Sequence, residues 1–315
     1  VYIELNTNEL YGRNLTAGAL DVMGQYYSVA SSSHAFYNYG GLVYTGNDEK
    51  ALFDNMWQKC YAVIACCNTI IEKCDENKAG LSPVWRGSIK GEALALRAML
   101  HFDMLRLFGP VYKNHPEAAA IPYNESARGS ALPLLTADSV MHEKILRDLD
   151  ESESLLADSD PVIEGGPMAS LENDQDVYLR YRQLRMNYYA VLALKARVYL
   201  YAGEQAKAWA AARKLLTDAR VDEYFPAVDP NKLLANQDNP DRVFSTEVLA
   251  GIYVKDRADI HSNYFSGSRN KPLTATPLCL PAPDQTDAKG CPDQNKRLPD
   301  KLSLSLNSPV VKRSS

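Results

Sequence analysis

The chain has 315 residues, 46% hydrophobic and 23% charged, a globular composition long enough for one large or two ordinary domains. Its net charge of -5, with no dense Lys/Arg stripe, argues against a nucleic-acid partner or an anionic-membrane footprint. No run reaches the roughly 18 apolar residues of a membrane helix, and Val1 opens into polar sequence rather than a signal peptide.

In chain order, periodicity predicts helices over about residues 8–30, 47–75, 83–108, 136–157, 178–202 and 204–218. Gly40-Gly41, Gly80, Gly109-Pro110, Gly165-Gly166-Pro167 and Gly203 punctuate them. No long alternating run reads as a strand before residue 270, so the predicted fold class is all-α.

Between the first two helices lies SSSHAFYNYGGLVYTGND, residues 31–48. It sets His34, Phe36, Tyr37, Asn38, Tyr39, Tyr44 and Asn47 among Ser and Gly, in a chain with 19 Tyr against 7 Phe. The stretch reads as too polar for a core element. Aromatic faces that stack on sugar rings, with Asn and His supplying directed hydrogen bonds, are what a glycan site needs. The other reading is a surface loop whose tyrosines anchor it to the scaffold or to a partner.

In the second helix Cys60, Cys67 and Cys74 are spaced by seven, about 10 Å per step along the axis. That exceeds disulfide reach, and Cys66-Cys67 has no CxxC companion, so the six cysteines read as buried free thiols with no metal site. No cofactor motif appears.

The third helix, GEALALRAMLHFDMLRLFGPVY over residues 91–112, carries His101, Asp103 and Arg106 close together in sequence. At roughly 100° per residue from Arg97, Glu92, Arg106 and Asp103 share one stripe and His101 faces the other side, which removes a local His-Asp pair. The apolar arc around Arg97 is wide enough to predict burial, so Arg97 needs a carboxylate or several backbone carbonyls, and Asp148 is the expected partner. Asp103, Arg106 and Gly109 are expected to be structural as well, with Gly109-Pro110 ending the helix.

Asp148, Asp150, Glu151 and Glu153 alternate along the fourth helix and read as a solvated face rather than paired acids for catalysis. No nucleophile elbow, phosphate loop or metal-ligand spacing accompanies them, so no enzyme activity is predicted. The fifth and sixth helices, NYYAVLALKARVYLYAGEQAKAWAAARKLL, place small residues around a turn at Gly203 and resemble a tetratricopeptide-type hairpin. From residue 271 onward, seven prolines and a net charge of +3 mark an extended or disordered tail.

The third helix also carries a family resemblance. Gly91-Glu92-Ala93, Leu96-Arg97-Ala98, Phe102-Asp103 and Arg106-Leu107-Phe108-Gly109 resemble the signature helix of the SusD/RagB family of bacterial surface nutrient-binding proteins. YGRNLTAGALDVMGQYY, MWQKCYAVIACCNTII with Asn68, ILRDLDESESLL and FSTEVLAGIYV follow the family's order, so the resemblance covers about residues 1–270. It implies a helical superhelix with tetratricopeptide-like units, no catalysis, and glycan or peptide binding.

It further implies an outer-membrane lipoprotein of Bacteroidetes that covers a TonB-dependent transporter of the SusC type and delivers ligand to it. The lipidated cysteine and signal of such proteins precede Val1 on this expectation, and the domain is incomplete at both ends relative to the family. A tetratricopeptide-type scaffold that binds proteins or peptides is the alternative.

Overall fold

The computed structural model describes residues 1–128, 132–167, 180–231, 241, 243–265 and 274–275. The fold is all-α with two compact units, one built on Cys60–Tyr253 and the other on Tyr2–Lys59 together with the segment from Val254. The proline-rich tail predicted from residue 271 lies outside the described residues, apart from Thr274–Ala275.

The longer helices keep their predicted bounds because their caps are written locally. Helix α4 is Asn47–Glu76 and α5 is Pro83–Phe108. Ser82 caps α5 by accepting from the Trp85 N–H at 3.4 Å, and Pro83 takes the first helical position. Gly109 ends the helix, its N–H donating to Leu105 O at 2.9 Å before Pro110. From Gly91 to Leu105 every residue except Met99 is buried, which fits the wide apolar arc.

In the first unit α5 packs on α6 (Leu146–Ser159), α6 on α8 (Tyr188–Tyr201), and α8 on α9 (Gln205–Leu216). The α5–α6 crossing is close because Gly91 has no side chain; a Cβ there would lie 2.8 Å from Leu156 Cγ. Hydroxyls exploit the approach, Ser152 donating to Gly91 O and Ser88 to Ser159 O, each at 2.6 Å. Short helices α7 (Val162–Gly165) and α10 (Ala219–Tyr224) belong to the same unit.

The α8–α9 hairpin forms as predicted. Asn187 caps α8 by accepting from the Ala190 N–H at 3.0 Å. Gly203, at φ 80°, closes it: its N–H reaches Leu200 O and that of Glu204 reaches Tyr199 O, the paired bonds of a Schellman turn.

Three predicted helices differ. Residues 8–30 are mostly turns, helical only at α2, Ala19–Met23. A Cβ on Gly12 would meet Asn6 O at 2.4 Å, so the chain doubles back there, and Gln25 at φ 62° stops α2. In the fifth predicted helix, residues 180–187 are not α-helical: Tyr181 at φ 52° leads into a 3-10 turn, Arg182–Leu184, and α8 begins at Tyr188. The helix predicted at 136–157 opens with a π-helical stretch, Ser139–Ile145, before α6.

The second unit buries Leu5, Leu10, Leu15, Ala19, Val22, Met23 and Met56 with Phe36 and Tyr39. Helix α1 (Tyr2–Leu5) is tied down by the Glu4–Lys59 ion pair. Strand β1, Tyr27–Ser28, pairs antiparallel with β2, Thr274–Ala275. Helix α3 (Tyr37–Gly40) carries Tyr37 and Tyr39, and α11 (Arg257–Ile260) is continued by a π turn, His261–Phe265, that carries Tyr264 and Phe265.

Candidate functional site

The polar residues at the centre of α5 meet partners within the protein. Arg97 grips Asp148 with two bonds, Nε to Oδ2 at 2.6 Å and Nη2 to Oδ1 at 2.9 Å, as its place in the apolar arc requires. Its Nη1 donates to Asn68 Oδ1 at 2.9 Å, while the Tyr123 hydroxyl and Arg147 donate to the same carboxylate. Burial pushes the Asp148 carboxyl up, but the bonds from Arg97, Tyr123 and Arg147 outweigh it and hold it below the usual range. Asp148 therefore departs from the predicted solvated face, because only a carboxylate can neutralise Arg97 there.

His101 is buried and stacks on Tyr123 at 3.8 Å. Its Nε2 accepts from the Asn124 N–H at 3.0 Å, so Nδ1 carries the proton and donates to Arg97 O at 2.9 Å. Burial draws its pKa down to about 3. A neutral imidazole with both nitrogens engaged is not a general base. Asp103 instead pairs with Arg106, whose guanidinium lies 4.7 Å from the centre of the Phe102 ring.

Asn68 completes this cluster by donating to the carbonyls of Asn124 and Ser126 at 3.0 and 3.1 Å. Tyr61 donates to Pro122 O at 2.8 Å, and the Ala127 N–H reaches Glu72. The segment 122–127 is thus strapped to α4 and α5 through its backbone. Glu92, expected on the stripe of Asp103 and Arg106, pairs with buried Arg182 at 3.3 Å, and Arg182 forks onto Asp160 at 2.9 and 3.2 Å. Exposed Asp150 and Glu151 pair with Lys195 and Lys90, and half-buried Glu153 pairs with both Lys195 and Lys214.

Cys60, Cys67 and Cys74 are buried free thiols, with Cys67 pushed up to about 12 by burial. Cys66 is exposed, against the expectation, because it follows the buried stripe by six residues from Cys60 rather than seven. Cys279 and Cys291 lie outside the described residues. Among the described residues no group of three or more His, Cys, Asp or Glu is placed to hold a metal ion. Among them, too, no helix is long and apolar enough to cross a membrane.

The loop of residues 31–48 divides into a buried and an exposed half. Phe36 and Tyr39 are 3% exposed, which corrects the reading of the loop as too polar for a core. They sit three apart across α3 and so share one face. Tyr39 meets Phe36 at 5.9 Å, Phe53 at 6.1 Å and Tyr44 at 6.5 Å between ring centres, and Tyr44 meets Phe53 edge-on at 5.6 Å. Burial first, then the Glu49 and Asp48 charges, push the Tyr39 phenol up to about 12. Burial also raises Tyr44 and lowers His34.

Tyr264 joins the cluster from the far end of the chain. It stacks on Phe36 at 5.3 Å, lies 6.2 Å from His34, and accepts a 2.6 Å bond from Arg13, whose guanidinium lies 5.5 Å from its ring centre. His34 Nδ1 accepts from the Phe36 N–H at 3.0 Å, bending the loop into α3.

The exposed half consists of Tyr37, 42% exposed, with Asn38 and Asn47. Asn38 Nδ2 donates to Glu49 at 2.8 Å. The α3 turn closes with the Leu42 N–H on Tyr39 O and the Val43 N–H on Asn38 O, a Schellman turn whose left-handed position is Leu42 at φ 57°. Of the six residues predicted to bind ligand, Tyr39 and Tyr44 serve chiefly as ring packing, and His34 is half-buried against Phe36. Tyr37, Asn38 and Asn47 face solvent. Glu49, Phe53, Arg13 and Tyr264 were not legible as partners of this loop.

Residues 10–164 match the SusD-like family described as starch-binding associating with outer membrane. No curated protein matches the chain. Similar solved structures include a SusD-like carbohydrate binding protein from Bacteroides vulgatus, with TM-score 0.57 and 21% identity over 77% of this chain and 45% of that one. A SusD superfamily protein from the same species gives 0.57 and 22% over 74% and 48%. Another from Bacteroides thetaiotaomicron gives 0.51 and 22% over 69% and 44%. At these identities the likeness is one of fold, and the chain spans less than half the length of these relatives.

Proposed function

The chain belongs to the SusD/RagB, starch-binding-protein-like family through residues 10–164, and from that premise we propose that it binds glycans without catalysis. The observation that carries this reading is the position of the 31–48 loop inside the matched region, with Tyr37 and Asn38 exposed between the buried residues Phe36 and Tyr39. An exposed tyrosine on a turn whose neighbours are buried suits stacking on a sugar face. The loop therefore both anchors and presents, with different residues for each.

On the same reading the protein works at the outer face of the outer membrane through a lipid anchor, and passes ligand to a TonB-dependent transporter of the SusC type. The description of the matched family as outer-membrane-associated supports that location. Retention of the protein in native gels containing soluble starch, laminarin or xyloglucan tests the binding. Retention by none of them contradicts it.

A second reading, a tetratricopeptide-type scaffold for proteins or peptides, has its own observation. The α8–α9 hairpin leaves Leu200 53% and Trp209 64% exposed. Large apolar side chains on a rigid hairpin favour a protein contact. The two readings are compatible, because the exposed hairpin residues and the loop lie in different units.

A further inference from the structure

We infer that Glu49 is a positioning residue that fixes which end of the Asn38 amide meets a bound sugar; the inference rests on the glycan-binding reading of the loop. Glu49 is the third residue of α4 and is only 5% exposed. Its carboxylate folds back over the residue before the helix: a Cβ at Gly46 would lie 2.0 Å from Oε2. A carboxylate in a helix's first turn is favoured by the positive end of the helix dipole.

Its other oxygen, Oε1, accepts from Asn38 at 2.8 Å. A carboxylate accepts and cannot donate, so the amide must turn its NH2 inward whichever way the side chain is drawn. The Asn38 carbonyl oxygen is then the end presented outward, on an exposed side chain next to exposed Tyr37. Such a site reads a sugar hydroxyl as a hydrogen-bond donor beside the ring that stacks on its face. The specificity sits in an exposed residue, while its orientation is set by a buried one that never touches the ligand.

Three variants measured in gels containing soluble starch, with melting temperatures recorded for each, test the role. Glu49→Gln lets the Asn38 amide take either orientation and is expected to weaken retention about threefold. Asn38→Asp opposes two carboxylates at this contact and is expected to weaken it at least about tenfold. Combining Asn38→Asp with Glu49→Gln lets the introduced amide donate to the introduced carboxylate, which again presents an acceptor outward. Retention of this double variant should return to within about threefold of wild type.

A double variant that melts like wild type and binds as weakly as Asn38→Asp overturns the positioning role and leaves glycan binding intact. Wild-type protein that starch, laminarin and xyloglucan all fail to retain overturns the glycan reading and this inference with it. The Asn38 side-chain amide resonance gives a readout that does not depend on the double variant. Its Nδ2 signal should move when Glu49→Gln removes the carboxylate, and an unmoved signal also overturns the assignment.

Discussion

Arg97 and Asp148 face each other across α5 and α6 as a buried, two-bonded ion pair at 2.6 and 2.9 Å. Removing one member strands the other charge away from water, so Asp148→Ala is expected to cost about 3–5 kcal/mol. The check is a double-mutant cycle with Arg97→Met in urea denaturation. A coupling energy near zero would show that the pair does not act as a unit.

His101 makes stability depend on pH. Burial lowers its pKa to about 3, so between that value and about 6.5 the unfolded chain takes up a proton that the folded one refuses. The contribution is therefore complete above about pH 6.5 and declines on acidification by about 1.4 kcal/mol per pH unit. Wild type should lose more stability than His101→Gln between pH 7 and pH 5, although the variant starts lower. Parallel losses would assign the acid sensitivity elsewhere. Asp148, held below the usual carboxylate range, stays ionised over the comparison of pH 7 with pH 5.

Much of the scaffold was legible because its rules are local. The caps Ser82-Pro83 and Gly109-Pro110 lie beside the helix they bound, and the position of Arg97 on an apolar arc already demanded a carboxylate or several backbone carbonyls. The Glu92–Arg182–Asp160 cluster was not legible, since Arg182 lies 90 residues from Glu92 in a stretch whose pattern looked helical until Tyr181 reversed the backbone. The loop was half legible. Its residue types suggested ring chemistry, but Tyr264, 251 residues beyond Arg13, decides which rings are covered.

Close packing at Gly91 gives a third expectation. A methyl group there must displace Leu156, so Gly91→Ala should lower stability by about 1–3 kcal/mol despite the better helix propensity of alanine. Leu156→Ala should cost less stability in the Gly91→Ala background than alone. A stabilised Gly91→Ala protein would mean that α5 and α6 are further apart than described.

Leu42 offers the opposite case. It occupies a left-handed position, φ 57°, where glycine carries no steric penalty. Leu42→Gly should raise stability by up to about 1 kcal/mol, and Leu42→Val should lower it. Equal melting temperatures for all three proteins would contradict the turn geometry.

The division of the 31–48 loop into ring base and exposed contacts is tested most directly by starch affinity and melting temperature in two variants. Tyr39→Ala should destabilise the protein by about 3–5 kcal/mol through loss of a buried ring. Tyr37→Ala should leave the melting temperature unchanged and weaken starch binding about tenfold. Full starch affinity in a folded Tyr37→Ala protein would contradict the placement of the glycan contact on this loop.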